Sequence, residues 1–549
     1  MLPLLAGIAA AGAATLLARA PARLRLSRAK HASLAGHPRM AKRVAGLLPY
    51  YDLSGDVFFR ADGAPDDVVA RRRAGFERLA ALYAERFPRS RALTAEARVG
   101  LSDLQFTASY RVPFPFSRTV REHLGVGAFL ERSEGNRLID LDGNAFWDLT
   151  GSYGVNLFGQ ETYKACVAEA VELAGPLGGV LGQYHPVVAA NIARLKAISG
   201  LDEVSFHMSG TEAVMQAVRL ARYHTGRPRL VRFAGAYHGW WGDVQPGPGN
   251  PIPADRTLTL AEMSERSLGV LARRKDVACV LVNPLQALHP NAAAPSDGTL
   301  VAGRRAKSVA RADYAAWLEK LAAVCRANGI VLILDDVFTG FRLAPRGAAE
   351  YFGIAPDMVT YGKTLGGGLP VGVLCGRAEL MKRYRDDRPA DLNFARGTFN
   401  ANPYVMAAMD AFLRRWEGDE GRALYDGLDA RWAGRAAALE ARLAEAGAPL
   451  GIDALSTIWT MLHRVPSRYN WMLQYYLRAE GVALSWVGTG RFIFSLDYSD
   501  ADMDAVGDAF VAAARAMQAD GWWWTADGAS DKRVSRRILG ETVKARLGR

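Results

Sequence analysis

The segment Ile330-Val331-Leu332-Ile333-Leu334 is an unbroken apolar run that ends in two carboxylates, Asp335 and Asp336. Five apolar residues without polar alternation are the pattern of a strand covered on both faces, as in a parallel sheet layered between helices. The chain is thereby steered toward an open α/β architecture, in which ligands bind beyond the carboxyl ends of the strands. Asp335 stands at such an end. A second run, Met358-Val359-Thr360-Tyr361, leads into Gly362-Lys363 and then Gly366-Gly367-Gly368-Leu369-Pro370, so Lys363 is delivered to the same edge.

A carboxylate and an amine so placed are the two groups that pyridoxal phosphate requires. The amine condenses with its aldehyde, and the acid keeps the pyridinium nitrogen protonated so that the ring acts as an electron sink. The string Asp335-Asp336-Val337-Phe338-Thr339-Gly340-Phe341-Arg342, with Pro356-Asp357 and Gly362-Lys363 following in order, resembles the class III pyridoxal phosphate-dependent aminotransferases, most closely their glutamate-1-semialdehyde 2,1-aminomutase branch. The resemblance implies a fold-type-I, aspartate aminotransferase-like α/β protein: a large domain with a parallel or mixed sheet and a smaller α/β lobe. It makes Lys363 and Asp335 the catalytic residues and places Val337 against the cofactor.

Further blocks follow the family's order. Val204 to Met208 reads as a strand, and Ser209-Gly210-Thr211-Glu212 opens a helix with Val214, Ala217, Val218 and Ala221 on one face. The unpaired amides and positive dipole end of that helix suit a phosphate, with the Ser209 and Thr211 hydroxyls as added donors. The same residues also read as a capping box that needs no ligand. Ala236-Tyr237-His238-Gly239 resembles the segment whose aromatic ring stacks on the cofactor, which brings Tyr237 and His238 into the set. Gly397-Thr398-Phe399-Asn400-Ala401-Asn402-Pro403 resembles the segment lent by a neighbouring subunit, so Thr398 implies a homodimer with shared active sites. Gly135 to Asn144 reads as two short strands around a turn, and Gly151-Ser152-Tyr153-Gly154 matches the substrate-side loop, making Ser152 and Tyr153 substrate residues. The resemblance runs from about Phe129 to about Val511.

Departures from the pattern are as informative. Where the family usually shows Glu-Pro, this chain has Asn283-Pro284. His289 to Ala312 looks like an insertion, either a loop over the site or a surface excursion. The aminomutase branch uses a glutamate near its carboxyl end to hold substrate and gate the site, yet no acidic residue occurs between Gly481 and Leu496. That segment instead offers Trp486 and Arg491, an apolar wall with one cation.

Charge is unevenly placed. Residues 1 to 50 carry eight basic side chains and no acid, and residues 520 to 549 carry seven basic against four acidic, which together account for nearly all of the net charge of +12. This suits an anionic membrane surface better than nucleic acid, for which no recognition module is present. Leu2 to Ala18 is uncharged and at the short edge of a bilayer span, and the basic residues that follow it put the body on the cytoplasmic side. Trp522-Trp523-Trp524 ahead of the basic tail has the composition of an interfacial anchor. Cys166, Cys279, Cys325 and Cys375 are dispersed, with no zinc or redox spacing, so a reducing compartment and no metal are expected.

The expected organisation is an apolar and basic anchor segment over 1–30, a helical extension over 31–125, a small lobe from 126–165 and 411–525, a large cofactor domain over 166–410, and a basic tail over 526–549. The expected activity is amino transfer from an amino-acid donor to an aldehyde or ketone, apolar or lipid-linked, in a cytoplasmic enzyme at a membrane face. The alternatives are an aminomutase and a non-catalytic membrane-associated interaction protein.

Overall fold

The computed structural model describes residues 20–253, 255–285, 301, 309–485 and 490–548. Its centre is a seven-stranded sheet in the spatial order Glu203–His207, Gly372–Gly376, Met358–Gly362, Val331–Asp335, Val277–Val282, Arg229–Phe233 and Thr257–Leu260. Gly372–Gly376 runs antiparallel to both neighbours, and the remaining pairs are parallel. Val331–Asp335, Val277–Val282 and Met358–Gly362 are buried at every position, as their lack of alternation requires. The parallel register sets Asp335 beside Thr360, so the next turn of chain places Lys363 alongside the acid.

The Gly210–Thr225 helix packs Val214, Ala217, Val218 and Ala221 against this sheet. Two smaller sheets stand beside it. One orders Leu130–Glu134, Arg137–Asp140, Ala145–Asp148 and Val482–Ala483, and the other Leu450–Leu455, Ile458–His463 and Arg491–Ile493. Boundaries at 165/166 and 410/411 both fall inside helices, Gln160–Ala174 and Pro403–Glu417. These two helices pack along each other, so this layer is continuous across the expected division.

The extension is helical over Pro38–Leu47, Asp66–Arg86, Pro88–Ala97 and Ser117–His123. It closes around Trp522, whose ring lies 6.2 Å from Phe59 and 5.1 Å from Tyr469. Buried Arg72 joins the two ends of the chain: it donates to Asp62, to the Phe59 carbonyl and to the Gly521 carbonyl, and its guanidinium lies 4.4 Å from the Tyr469 ring centroid. The reading of Trp522, Trp523 and Trp524 as an interfacial anchor is therefore corrected. Trp522 and Trp523 are buried, and the Trp522 indole N–H donates to Tyr476 at 2.8 Å, because an aromatic wall from the extension covers them. The basic tail forms a helix, Asp531–Arg546, tied down by a two-pronged Arg468 to Glu541 pair at 2.7 and 2.9 Å. Among the described residues no helix is long and apolar enough to cross a membrane. Leu2 to Ala18, Trp486 and most of the 289–312 insertion lie outside the described residues.

Candidate active site

Asp335 ends its strand almost fully buried, with Oδ2 2.7 Å from His238 Nδ1. Its Oδ1 accepts from the Val337 amide at 3.3 Å and the Thr360 hydroxyl at 3.4 Å. Burial pushes the imidazole of His238 below its ordinary proton affinity in spite of the adjacent carboxylate. The neutral ring donates through Nδ1, and Nε2 is buried without a protein partner among the described residues. The neighbouring Asp336 is structural: it accepts from the Thr339 hydroxyl and, at 2.8 Å, from the Ala348 amide, and burial lifts its carboxyl to about 7.

Lys363 follows its strand in a left-handed conformation, φ 50°. That conformation is strained for a side-chain-bearing residue and marks a position held by its surroundings. Its Nζ donates to the Tyr153 carbonyl at 2.5 Å and lies 4.6 Å from the Phe338 ring centroid. Burial lowers the amine to about 8, with Asp335 opposing the shift and Arg342 and Arg491 assisting it. About a tenth of the amine is thus uncharged, hence nucleophilic, near neutrality, far more than for an ordinary lysine.

Several of the other expected residues lie around this pair. Ser209 caps its helix by accepting from the Glu212 amide, while Glu212 accepts from the Met208 amide at 2.9 Å. At Gly210 an added Cβ would stand 2.6 Å from Val337 Cγ1, so only glycine permits the helix start to approach the strand end. Tyr237 is largely exposed, and its hydroxyl is raised by partial burial and by the Asp335 charge. Ser152 and Tyr153 occupy consecutive left-handed positions, φ 46° and 57°, with the Ser152 amide donating to Thr150 Oγ1. A Cβ on the following Gly154 would meet Phe338 at 2.6 Å. Arg491 lies on the Arg491–Ile493 strand; burial lowers its guanidinium to about 10, and Nε has no partner among the described residues. Thr398 does not join the cluster within one chain; it sits exposed on a turn.

Two contributors emerge only from the geometry. Asn283 donates from Nδ2 to the Tyr237 carbonyl at 3.4 Å and accepts from the Leu285 amide at 3.2 Å. A glutamate could not make the first bond, so the amide that departs from the family pattern holds the segment carrying Tyr237 and His238. Arg342 is buried and donates to the carbonyls of Gly154, Asn156 and Phe494 and to Thr457 Oγ1. It thereby fastens the Ser152–Tyr153 loop to the Asp335 side.

Comparison with known proteins gives this geometry its context. The family model for class-III aminotransferases matches residues 119–242 and 309–513. The chain belongs to the class III aminotransferases. Over 368 residues, 66% of this chain and 83% of the relative, it is 36% identical to a glutamate-1-semialdehyde 2,1-aminomutase of Nitratidesulfovibrio vulgaris. A counterpart from Desulfotalea psychrophila is 32% identical over 370 residues, covering 64% of this chain and 80% of its own. Among solved structures, an omega-transaminase from Sphaerobacter thermophilus superposes with a TM-score of 0.64 at 25% identity, covering 78% of this chain and 98% of its own. A glutamate-1-semialdehyde-aminomutase from Pseudomonas aeruginosa PAO1, at 20% identity, shares the fold with a TM-score of 0.64 over 82% of this chain and 99% of its own. As a class III aminotransferase the chain is a fold-type-I, pyridoxal 5′-phosphate-dependent transaminase.

The residues present fit that cofactor. A helix start meets a strand end without room for a Cβ, a desolvated amine faces a buried carboxylate, and that carboxylate is held by a neutral histidine.

Proposed function

We propose that this enzyme moves an amino group between two separate molecules, from an amino-acid donor to an aldehyde or ketone acceptor. The observation that carries the reading is Arg491. It is a buried guanidinium whose Nε has no partner among the described residues, close enough to Lys363 to depress its amine. A buried guanidinium with a free Nε beside the reacting amine suits the carboxylate of an amino-acid donor, which accepts charge-assisted bonds from such a group. The absence of any acid from Gly481 to Leu496 supports the same reading, since nothing there retains an aminated intermediate by its charge.

When bound, pyridoxal phosphate supplies an electron sink for the negative charge that develops at the donor carbon. Asp335, held by His238, would keep the ring nitrogen protonated. Ser209, Gly210 and Thr211 would hold the phosphate, while Tyr237 and Val337 would flank the ring. Lys363 Nζ would hold the cofactor through its aldehyde and would be the base that moves the proton at the donor carbon. Ser152 and Tyr153 line the substrate side. Thr398, exposed on its own chain, would complete the phosphate site of a second copy, making the working unit a homodimer.

A second reading, an aminomutase acting within one molecule, is favoured by the names of the 32–36% identical relatives. Transfer of label from a ¹⁵N-amino acid to a separate carbonyl acceptor, followed by mass spectrometry, tests the two. Label in the acceptor is expected. Efficient isomerisation of a single aminoaldehyde with no donor present would overturn intermolecular transfer.

A further inference from the structure

A pocket lies where the extension meets the body, formed by residues that the cofactor machinery does not use. Side chains of the Pro88–Ala97 and Ser117–His123 helices, together with Tyr475, line an open pocket of about 370 Å³. That volume falls within the range of small-molecule sites. Arg91, Arg98 and Arg121 line it, and no acidic side chain does. Val120 and Leu124, both buried, supply an apolar floor.

The three arginines stand apart from the others in this part of the chain. Arg60, Arg72, Arg73, Arg78 and Arg118 each meet a carboxylate. The guanidinium groups of Arg91, Arg98 and Arg121 make no hydrogen bond or ion pair with any described residue. Gly125 brings the chain close beneath Arg91, whose Nε would lie 3.4 Å from a Cβ there. Three cations lining one concavity that holds no carboxylate suit a polyvalent anion. Guanidinium forks match the oxygens of phosphate in particular. The apolar floor would accept a body attached to that phosphate.

We propose that this pocket binds a phosphate group carried on an apolar body, at a site separate from the cofactor phosphate cup. Arg91 and Arg98 precede residue 119, where the family match begins, while Arg121 and Tyr475 lie within it, so the extension adds two of the three cations to a wall supplied by the family body. The phosphate can come from a small soluble ester or from a lipid headgroup, since the recognising chemistry is the same.

The test uses the holoenzyme, so that the cofactor already fills the phosphate cup. Calorimetry with n-octyl phosphate and with inorganic pyrophosphate, and co-sedimentation with phosphatidylglycerol vesicles, are run on the wild type and on an Arg91→Gln/Arg98→Gln/Arg121→Gln variant. These side chains lie at the surface of the extension, and unchanged circular dichroism and cofactor absorbance verify the variant's fold. Saturable binding that weakens at least about tenfold in the variant is expected, each lost charge-assisted bond contributing comparably. Arginine-dependent binding of the soluble phosphates identifies a soluble ester, and arginine-dependent binding of vesicles alone identifies a headgroup. Equal binding by wild type and variant, or no saturable binding of any probe, would overturn the proposal.

Discussion

His238 Nδ1 lies 2.7 Å from Asp335 Oδ2, with both side chains buried at the end of a central strand. A neutral imidazole therefore orients the carboxylate and leaves its negative charge intact, which is the arrangement a pyridinium partner requires. Asp335→Asn is expected to keep part of the cofactor while lowering kcat by about 10²–10³, the usual cost of removing one preorganised electrostatic group. His238→Phe should lower kcat less, because the charge survives without its orienting bond. Steady-state rates normalised to bound cofactor check both; full turnover in Asp335→Asn would remove Asp335 from the mechanism.

Lys363 should carry the cofactor. Lys363→Ala is expected to lose the visible absorbance and all measurable turnover, and borohydride fixation followed by peptide mapping should place the adduct on Lys363 in the wild type. A fixed adduct on another lysine would refute the assignment.

The same amine predicts a pH dependence of apoprotein stability. Its folded value of about 8 lies below the 10.5 of an ordinary lysine, so between those values the unfolded chain holds a proton that the folded chain has released. Stability then rises with pH across roughly pH 8 to 10.5, and the desolvation penalty is fully present below that window. Relative to Lys363→Met, the wild-type apoprotein should gain roughly 1–3 kcal/mol over this interval in urea titrations. Parallel profiles for the two proteins would contradict the buried amine.

Arg491→Gln should separate two classes of donor. For amino donors bearing a carboxylate, KM is expected to rise about 10- to 100-fold, the cost of a charge-assisted bond, with kcat changed much less. Amines without a carboxylate should show little change. An equal effect on both classes would assign Arg491 to packing.

Trp522 should behave as a core residue. Trp522→Ala is expected to destabilise the protein by about 3–5 kcal/mol, as large aromatic deletions do in packed interiors, with a lower urea midpoint and no specific change in vesicle binding. A neutral effect on stability would restore the surface reading of this tryptophan.

What the sequence determined by itself was the chemistry carried by local signals. The apolar run before Asp335, the strand before Lys363 and the Ser209-Gly210-Thr211 helix start announce their own conformations, because burial on both faces and unpaired helix amides depend on a few adjacent residues. The convergence of these segments was legible only through their resemblance to the family's order of blocks. The tertiary structure alone decided what depends on distant partners. Tryptophans beside arginines have the same composition at a membrane interface and in a core, and only the docking of Phe58, Phe59 and Arg72 from the far end of the chain buries Trp522. Asn283 reads as a lost charge until its amide is found on the Tyr237 carbonyl. Arg342 sits within the quoted motif, but its hold on Gly154, Asn156 and Phe494 spans segments separated by more than a hundred residues. Hydrogen-bond partners at such separations are selected by packing, which no window of sequence contains.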